Sequence, residues 1–155
     1  MRKGFVWGAA LSAACAVVAG ASMVPLTTEE LVAHATLVIV GSVDEVTSYP
    51  ADANGVIYSE AKVRVRDTAV GAVAAEYVAV RCMGGESGGL AFVVTTEPTF
   101  QVGEEVVLFL TPTEGGAYRC ADGVQGKLSV VDGTVLPAGK TLNEFLTEVA
   151  AAAGR

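Results

Sequence analysis

The sequence has little positive charge. Its 155 residues include 10 lysines and arginines against 17 aspartates and glutamates, a net charge of −7 at pH 7. Nucleic-acid phosphates require a basic face, and no cluster of lysine or arginine follows residue 21. The sequence therefore predicts a protein with no nucleic-acid partner.

A long hydrophobic run is also missing. The uncharged stretch at residues 6–20 follows Arg2 and Lys3 and spans 15 residues, whereas about 20 are needed to cross a bilayer. Ala19-Gly20-Ala21 has the small residues that signal peptidase requires. We therefore predict a cleavable signal peptide at residues 1–21, no stable membrane anchor after cleavage, and export to the periplasm, cell envelope or medium.

The leader has two other possible interpretations. One is an uncleaved membrane anchor, which the length of the run disfavours. The other is a lipoprotein modified at Cys15, but Leu11 stands four residues before this cysteine, where lipoproteins usually have a leucine three residues before it.

Cysteine and histidine are scarce in the remainder, residues 22–155. This segment carries a net charge of −9. Its only cysteines are Cys82 and Cys120, and its only histidine is His34. Outside the cytosol two cysteines predict a disulfide; it would close a loop of about 38 residues, worth about 4 kcal/mol in the chain-entropy model. A zinc site is the alternative, but it needs four ligands. We expect no metal and no cofactor.

The apolar pattern predicts a β-rich domain. Ile57, Ser59, Ala61 and Val63 alternate with polar residues, as in a strand with one wet face. Asp132-Gly133 between two apolar runs predicts a tight hairpin. Strands are expected at residues 37–46, 57–66, 77–83, 90–95, 105–111, 117–121, 126–131 and 134–136.

Two capping boxes predict helices at both ends of these strands. In Thr27-Thr28-Glu29-Glu30 and Thr141-Leu142-Asn143-Glu144, a threonine precedes a glutamate by three residues. The first helix should end near residue 35, and the second should pack an apolar face on the sheet. The length supports one core. Residues 22–155 should form a single small closed antiparallel OB-like barrel with a helix at each end.

The sequence Gly84-Gly85-Glu86-Ser87-Gly88-Gly89 is the sharpest functional candidate. It contains Gly-x-Ser-x-Gly and looks like the segment around the nucleophile of chymotrypsin-like proteases. A serine nucleophile needs a histidine base oriented by a carboxylate, and His34 is the single histidine. The chain is too short for a double barrel, so we interpret the glycines as a mobile loop and His34 as a residue favoured near a helix C-terminus.

Several segments resemble a broad set of exported bacterial β-domain proteins of uncharacterised function. The resemblance covers most of the chain after the leader, and no activity is implied by it. Its most specific parts are the Gly-Gly-Glu loop and the Phe-x-x-Gly-Glu-Glu strand entry. The segments that carry it are residues 31–41, 55–59, 84–86, 98–110 and 125–128.

The first two predicted strands are also similar to the OB-like barrel of netrin-like domains and tissue inhibitors of metalloproteinases. This resemblance implies a fold. Those inhibitors chelate the protease zinc through an N-terminal cysteine, whereas the predicted mature chain begins Ser22-Met23-Val24-Pro25.

Three functions are compatible with these features. The first is an exported, non-enzymatic binding module that presents residues 84–89 to a protein partner such as a secreted peptidase. The second is a serine hydrolase that uses Ser87. The third is a structural component of the cell envelope.

Overall fold

The protein is described by a computed structural model at residues 23–50 and 55–154. The predicted signal peptide lies outside these residues. The elements are α1 Thr28–His34, β1 Leu37–Pro50, β2 Ile57–Val70, β3 Tyr77–Met83, β4 Gly85–Ser87, β5 Leu90–Phe92, β6 Glu105–Pro112, β7 Tyr118–Cys120, β8 Lys127–Val131, β9 Thr134–Leu136, β10 Lys140–Thr141 and α2 Leu142–Ala153.

Five strands close a barrel in the order β1-β2-β3-β7-β6, and β6 returns to β1. The closing contact pairs Leu37 with Leu110 and continues to Ser42 with Glu105. Numbered by their place in the chain, the barrel strands follow the order 1-2-3-5-4-1, which is that of an OB-fold. The predicted fold class, a mainly β, OB-like barrel with a helix at each end, is confirmed.

One pair of barrel strands is parallel, which the prediction of an antiparallel barrel did not include. β3 and β7 run in the same direction and pair at Val80 and Tyr118. A closed ring of five strands cannot alternate in direction at every step, so one neighbouring pair must be parallel.

The apolar runs of β1 and β6 are buried on both faces. Leu37 and Ile39 belong to one core cluster, which fills the barrel, while Val38 and Val40 belong to a second cluster beneath the helices. The run from Val106 to Leu110 alternates between the two clusters in the same way. Burial on both faces explains why these strands are apolar at every position.

The helices cover one side of the barrel. Both predicted capping boxes form, with Thr27 bound to Glu30 and Thr141 bound to Glu144. Phe145 of α2 packs edge-to-face on Phe109 of β6, with ring centroids 6.4 Å apart. Beyond the barrel, β8, β9 and β10 extend the sheet from β6.

Candidate functional site

The glycine-rich segment forms an ordered hairpin, where a mobile loop was predicted. β4 and β5 pair from Gly85 with Phe92 to Ser87 with Leu90. Between them Gly88 and Gly89 have φ angles of 60° and 78°. Two consecutive residues with positive φ make the tight turn that matches the twist of a hairpin. Gly88 and Gly89, the last two residues of the Gly-x-Ser-x-Gly pattern, therefore have a structural explanation.

The base of the hairpin rests on two serines of the barrel. Ser48 Oγ of β1 lies 2.7 Å from Ser59 Oγ of β2, and Ser59 Oγ donates to the Gly84 carbonyl at 2.7 Å. Gly85 has a φ of 137°, and a Cβ there would overlap both hydroxyls. Only glycine allows the hairpin backbone to approach the barrel so closely.

A cavity of about 380 Å³ lies between this hairpin and the end of the barrel. Its volume is within the range of ligand pockets, about 300–1,000 Å³. Most of its wall is apolar and includes two aromatic rings and a thioether. The lining residues are Val46, Ser48, Ser59, Cys82, Met83, Gly84, Gly85, Glu86, Ala91, Phe92, Val93, Val94, Pro98, Thr99 and Phe100.

The serine pair gives the cavity a fixed hydrogen-bonding polarity. A hydroxyl has one proton to donate, and Ser59 donates its proton to Gly84. The short contact between the two serines is then a bond from Ser48 to Ser59. Both protons are used, so the half-buried Ser48 oxygen can only accept a further hydrogen bond.

Carboxylates supply the charge near the cavity. Glu86 is part of its wall, and Glu97 accepts a hydrogen bond from the Met83 amide at 3.3 Å. Burial, with a smaller contribution from Glu97, raises the pKa of Cys82 to about 11, so this thiol stays protonated at neutral pH. Among the described residues, no lysine, arginine or histidine lines the cavity.

Large apolar side chains are exposed around this site. Leu90 is 67% and Val93 is 79% exposed, and Met83 and Phe92 are exposed to a smaller extent. All four belong to the hairpin, to the residue after it or to the end of β3. Contiguous exposed apolar surface of this kind is typical of interaction sites.

The structure does not assemble the residues of a serine triad. His34 Nδ1 lies 2.7 Å from Asp122 Oδ2, beside the C-terminus of α1. Ser87 lies on the hairpin, in a shallow depression with Glu86, Leu90 and Ala91. A histidine held by a carboxylate is half of a triad, but the hydrogen bonds among the described residues join this imidazole to Asp122 and not to Ser87.

Cys82 and Cys120 are brought together, but as free thiols. Because Val80 pairs with Tyr118, the cysteines stand at matching positions two residues further along β3 and β7. Each is packed separately in the barrel core, and Cys82 Sγ lies 3.7 Å from the Ser59 carbonyl oxygen. The predicted disulfide is not present in this structure. Within residues 23–50 and 55–154 no group of three metal-ligating side chains is found.

The sequence did not indicate the barrel residues that form the floor of the cavity. Ser48, Ser59 and Phe100 were not singled out, although Ser59 occupies an inward position in the alternation of β2 and is 8% exposed. A polar residue at a buried position must find a hydrogen-bond partner. That signal marks Ser59 as unusual, but it does not reveal that its partners are Ser48 and Gly84.

Comparisons with known proteins add no assignment. No protein-family model matches the chain, and no curated protein matches it. Among the residues that the structure describes, none of the helices is both long and apolar enough to span a membrane.

Proposed function

We propose that this protein is an exported, non-enzymatic binding module that holds a protein partner, such as a secreted peptidase, at the hairpin of residues 84–92. The observation that carries this proposal is the apolar cavity beneath the hairpin, together with the exposed Leu90 and Val93 beside it. Pockets with mostly apolar walls and a few convergent polar groups are the usual form of binding sites.

The barrel gives this site the rigidity that binding requires. The hairpin is held by the hydrogen bond from the Gly84 amide to the Ile57 carbonyl and by the bond from Ser59 to Gly84. A site that is ordered before binding loses less conformational entropy when a partner docks. The exposed apolar side chains can then contribute their burial to affinity.

We also propose that the protein is exported and that Cys82 and Cys120 then form a disulfide. The apolar leader at residues 1–21 directs the chain out of the cytosol. There a disulfide oxidoreductase takes two electrons and two protons from Cys82 and Cys120 as the sulfur–sulfur bond forms. The matching positions of the cysteines on β3 and β7 support this step. The protein isolated from its export compartment should lack free thiols until it is reduced, which mass spectrometry after thiol alkylation measures.

Affinity capture tests the binding proposal. The purified protein is immobilised and exposed to the envelope and culture-fluid proteins of its source, in parallel with Val93→Glu and with Val102→Glu as a matched control. Val102 is also an exposed valine, 65% accessible, but it lies outside the hairpin and the cavity lining. We expect a protein that Val93→Glu fails to retain and Val102→Glu retains. A partner retained equally by all three, or none at all, would contradict the proposal and favour a structural role in the envelope.

The serine-hydrolase alternative is tested by a fluorophosphonate probe, which reacts only with an activated serine. We expect no labelling, because no hydrogen bond among the described residues joins His34 to Ser87. Labelling that disappears in Ser87→Ala would replace the binding proposal with a hydrolase.

A further inference from the structure

The wall of the cavity is suited to an aromatic ring. Phe92 and Phe100 contribute rings, and Met83 contributes a thioether. Aromatic pairs and sulfur–aromatic contacts stabilise a bound ring beyond the burial of its area. A volume of about 380 Å³ is near the lower limit of ligand pockets, so it suits one ring system better than a large ligand.

The serine pair adds a requirement for a hydrogen-bond donor. Ser48 uses its proton on Ser59, and Ser59 uses its proton on the Gly84 carbonyl. A bound ring would shield the Ser48 oxygen from water. An oxygen shielded in this way without a replacement partner is costly, so a ring that carries an N–H or O–H is favoured over a plain phenyl ring.

Charge disfavours an anionic ligand. Glu86 is in the wall of the cavity, and within residues 23–50 and 55–154 no cationic side chain lines it. Lys127, which lies 4.9 Å from the centre of the Phe100 ring, is already paired with Glu104. A carboxylate or phosphate would meet no counter-charge there.

We infer that the cavity beneath the hairpin binds an aromatic side chain with a hydrogen-bond donor, the indole of a tryptophan or the phenol of a tyrosine, presented by the protein partner. This inference rests on the proposed function and specifies which group of the partner enters the site. The ring packs between Phe92, Phe100 and Met83, and its N–H or O–H donates to Ser48 Oγ.

Nuclear magnetic resonance titration of the purified protein tests this inference. The probes are N-acetyl-tyrosinamide and N-acetyl-phenylalaninamide, which differ only in the hydroxyl group of the ring. We expect both to shift the amide signals of residues 84–92, with the tyrosine probe bound about fivefold to tenfold more tightly, the usual contribution of one hydrogen bond.

Two variants locate the preference. Ser48→Ala removes the acceptor, so the two probes should bind this variant with about equal affinity. The bond from Ser59 to Gly84, which holds the base of the hairpin, can still form in it. Thr47→Ala is the matched control. Its hydroxyl is exposed and bonds to Glu45 at 3.4 Å, and it should leave the preference unchanged.

The outcomes separate this inference from the proposal it rests on. Equal affinity for the two probes, a preference that survives Ser48→Ala, or no shift up to the solubility limit of the tyrosine probe would overturn the aromatic-donor inference. A partner whose capture still depends on Val93 would then leave the binding module standing with a different anchoring group. Loss of that dependence as well would overturn both.

Discussion

Gly85 has a backbone conformation and a contact that no other residue can share. Its φ is 137°, and its Cα faces the hydroxyls of Ser48 and Ser59 with no space for a Cβ. The base of the hairpin therefore contacts the serine pair both at Gly85 and at Gly84, which accepts a hydrogen bond from Ser59. A larger residue at position 85 must move the hairpin away from the barrel or displace the serines.

Gly85→Ala should destabilise the protein more than Gly89→Ala. Both alanines would have a positive φ, which costs about 1–2 kcal/mol. A Cβ at Gly89 meets nothing within 4 Å, whereas the overlap at Gly85 adds about 1–3 kcal/mol. Urea denaturation of the two variants measures the difference. Equal losses would contradict the close contact between the hairpin and the serine pair.

The residues of the hairpin are sufficient to indicate its turn, but not its contact with the two serines of the barrel. Gly88-Gly89 and Asp132-Gly133 are both recognisable as turn sequences because positive φ is a local property. Both form hairpin turns. The need for glycine at position 85 comes from Ser48 and Ser59, more than 25 residues earlier in the chain, so no local pattern announces it.

The start of α2 is specified by a capping box. The Thr141 hydroxyl accepts from the Glu144 amide at 3.3 Å, and the Glu144 carboxylate accepts from the Thr141 amide at 2.9 Å. Both bonds satisfy donors that a helix N-terminus would otherwise leave free. The element is then held on the barrel by Phe145 and Val149.

Thr141→Ala should lower the free energy of unfolding by about 1 kcal/mol, the usual cost of losing a helix N-cap. Thr147→Ala is the matched control, because its exposed hydroxyl bonds only to the Asn143 carbonyl one turn earlier. We expect the control to change stability by less than about 0.5 kcal/mol. Urea denaturation at pH 7 compares them, and equal effects would indicate that the cap does not stabilise the fold.

The helix N-cap at Thr141 also makes the stability difference between the wild-type protein and Thr141→Ala depend on pH. Hydrogen bonds from the Thr141 hydroxyl and amide lower the pKa of Glu144 below its ordinary value of 4.5. A lowered pKa stabilises the folded state above the unfolded pKa, and this contribution is lost as the pH falls through the folded value. The gap between the wild-type protein and Thr141→Ala should therefore narrow below pH 4.5. A gap that widens in acid would contradict this account.

On the scale of the whole molecule, the β3–β7 contact is the short seam of the barrel. It pairs at a single position, Val80 with Tyr118, and the buried Cys82 and Cys120 follow directly. Burial raises the pKa of Cys82 to about 11 and that of Cys120 to about 12, from an ordinary 9.0. In the reduced protein, two buried thiols therefore lie beside the β3–β7 contact, and the folded state keeps both of them protonated.

The reduced protein should lose stability as the pH rises above 9. Between pH 9 and 11 the unfolded chain releases thiol protons that the folded chain retains, so alkali favours unfolding. Urea denaturation at pH 8 and pH 10 measures the loss. The double variant Cys82→Ala, Cys120→Ala should show a smaller loss, while Tyr77, whose pKa is also raised by burial, contributes equally to both. Parallel losses would contradict the role of the thiols.

The sequence by itself determined the elements and the class of the fold. Both capping boxes, the Asp132-Gly133 turn, and β3 and β9 were predicted at their observed positions, and the other barrel strands to within a few residues, four at most, whereas β4 and β10 were not predicted. Periodicity, caps and turn residues act over a few neighbouring residues, so the sequence displays them directly. The apolar runs of β1 and β6 likewise indicate strands buried on both faces.

Only the tertiary structure decided how these elements close and what lies between them. The parallel pairing of β3 with β7, the separation of His34 from Ser87, and the cavity floored by Ser48 and Ser59 each depend on residues that are distant in the chain. Such contacts follow from ring closure and from the need to satisfy buried hydroxyls. The local periodicity of the sequence contains no information about ring closure or about the partners of buried hydroxyls. The site could therefore be identified only from the folded barrel.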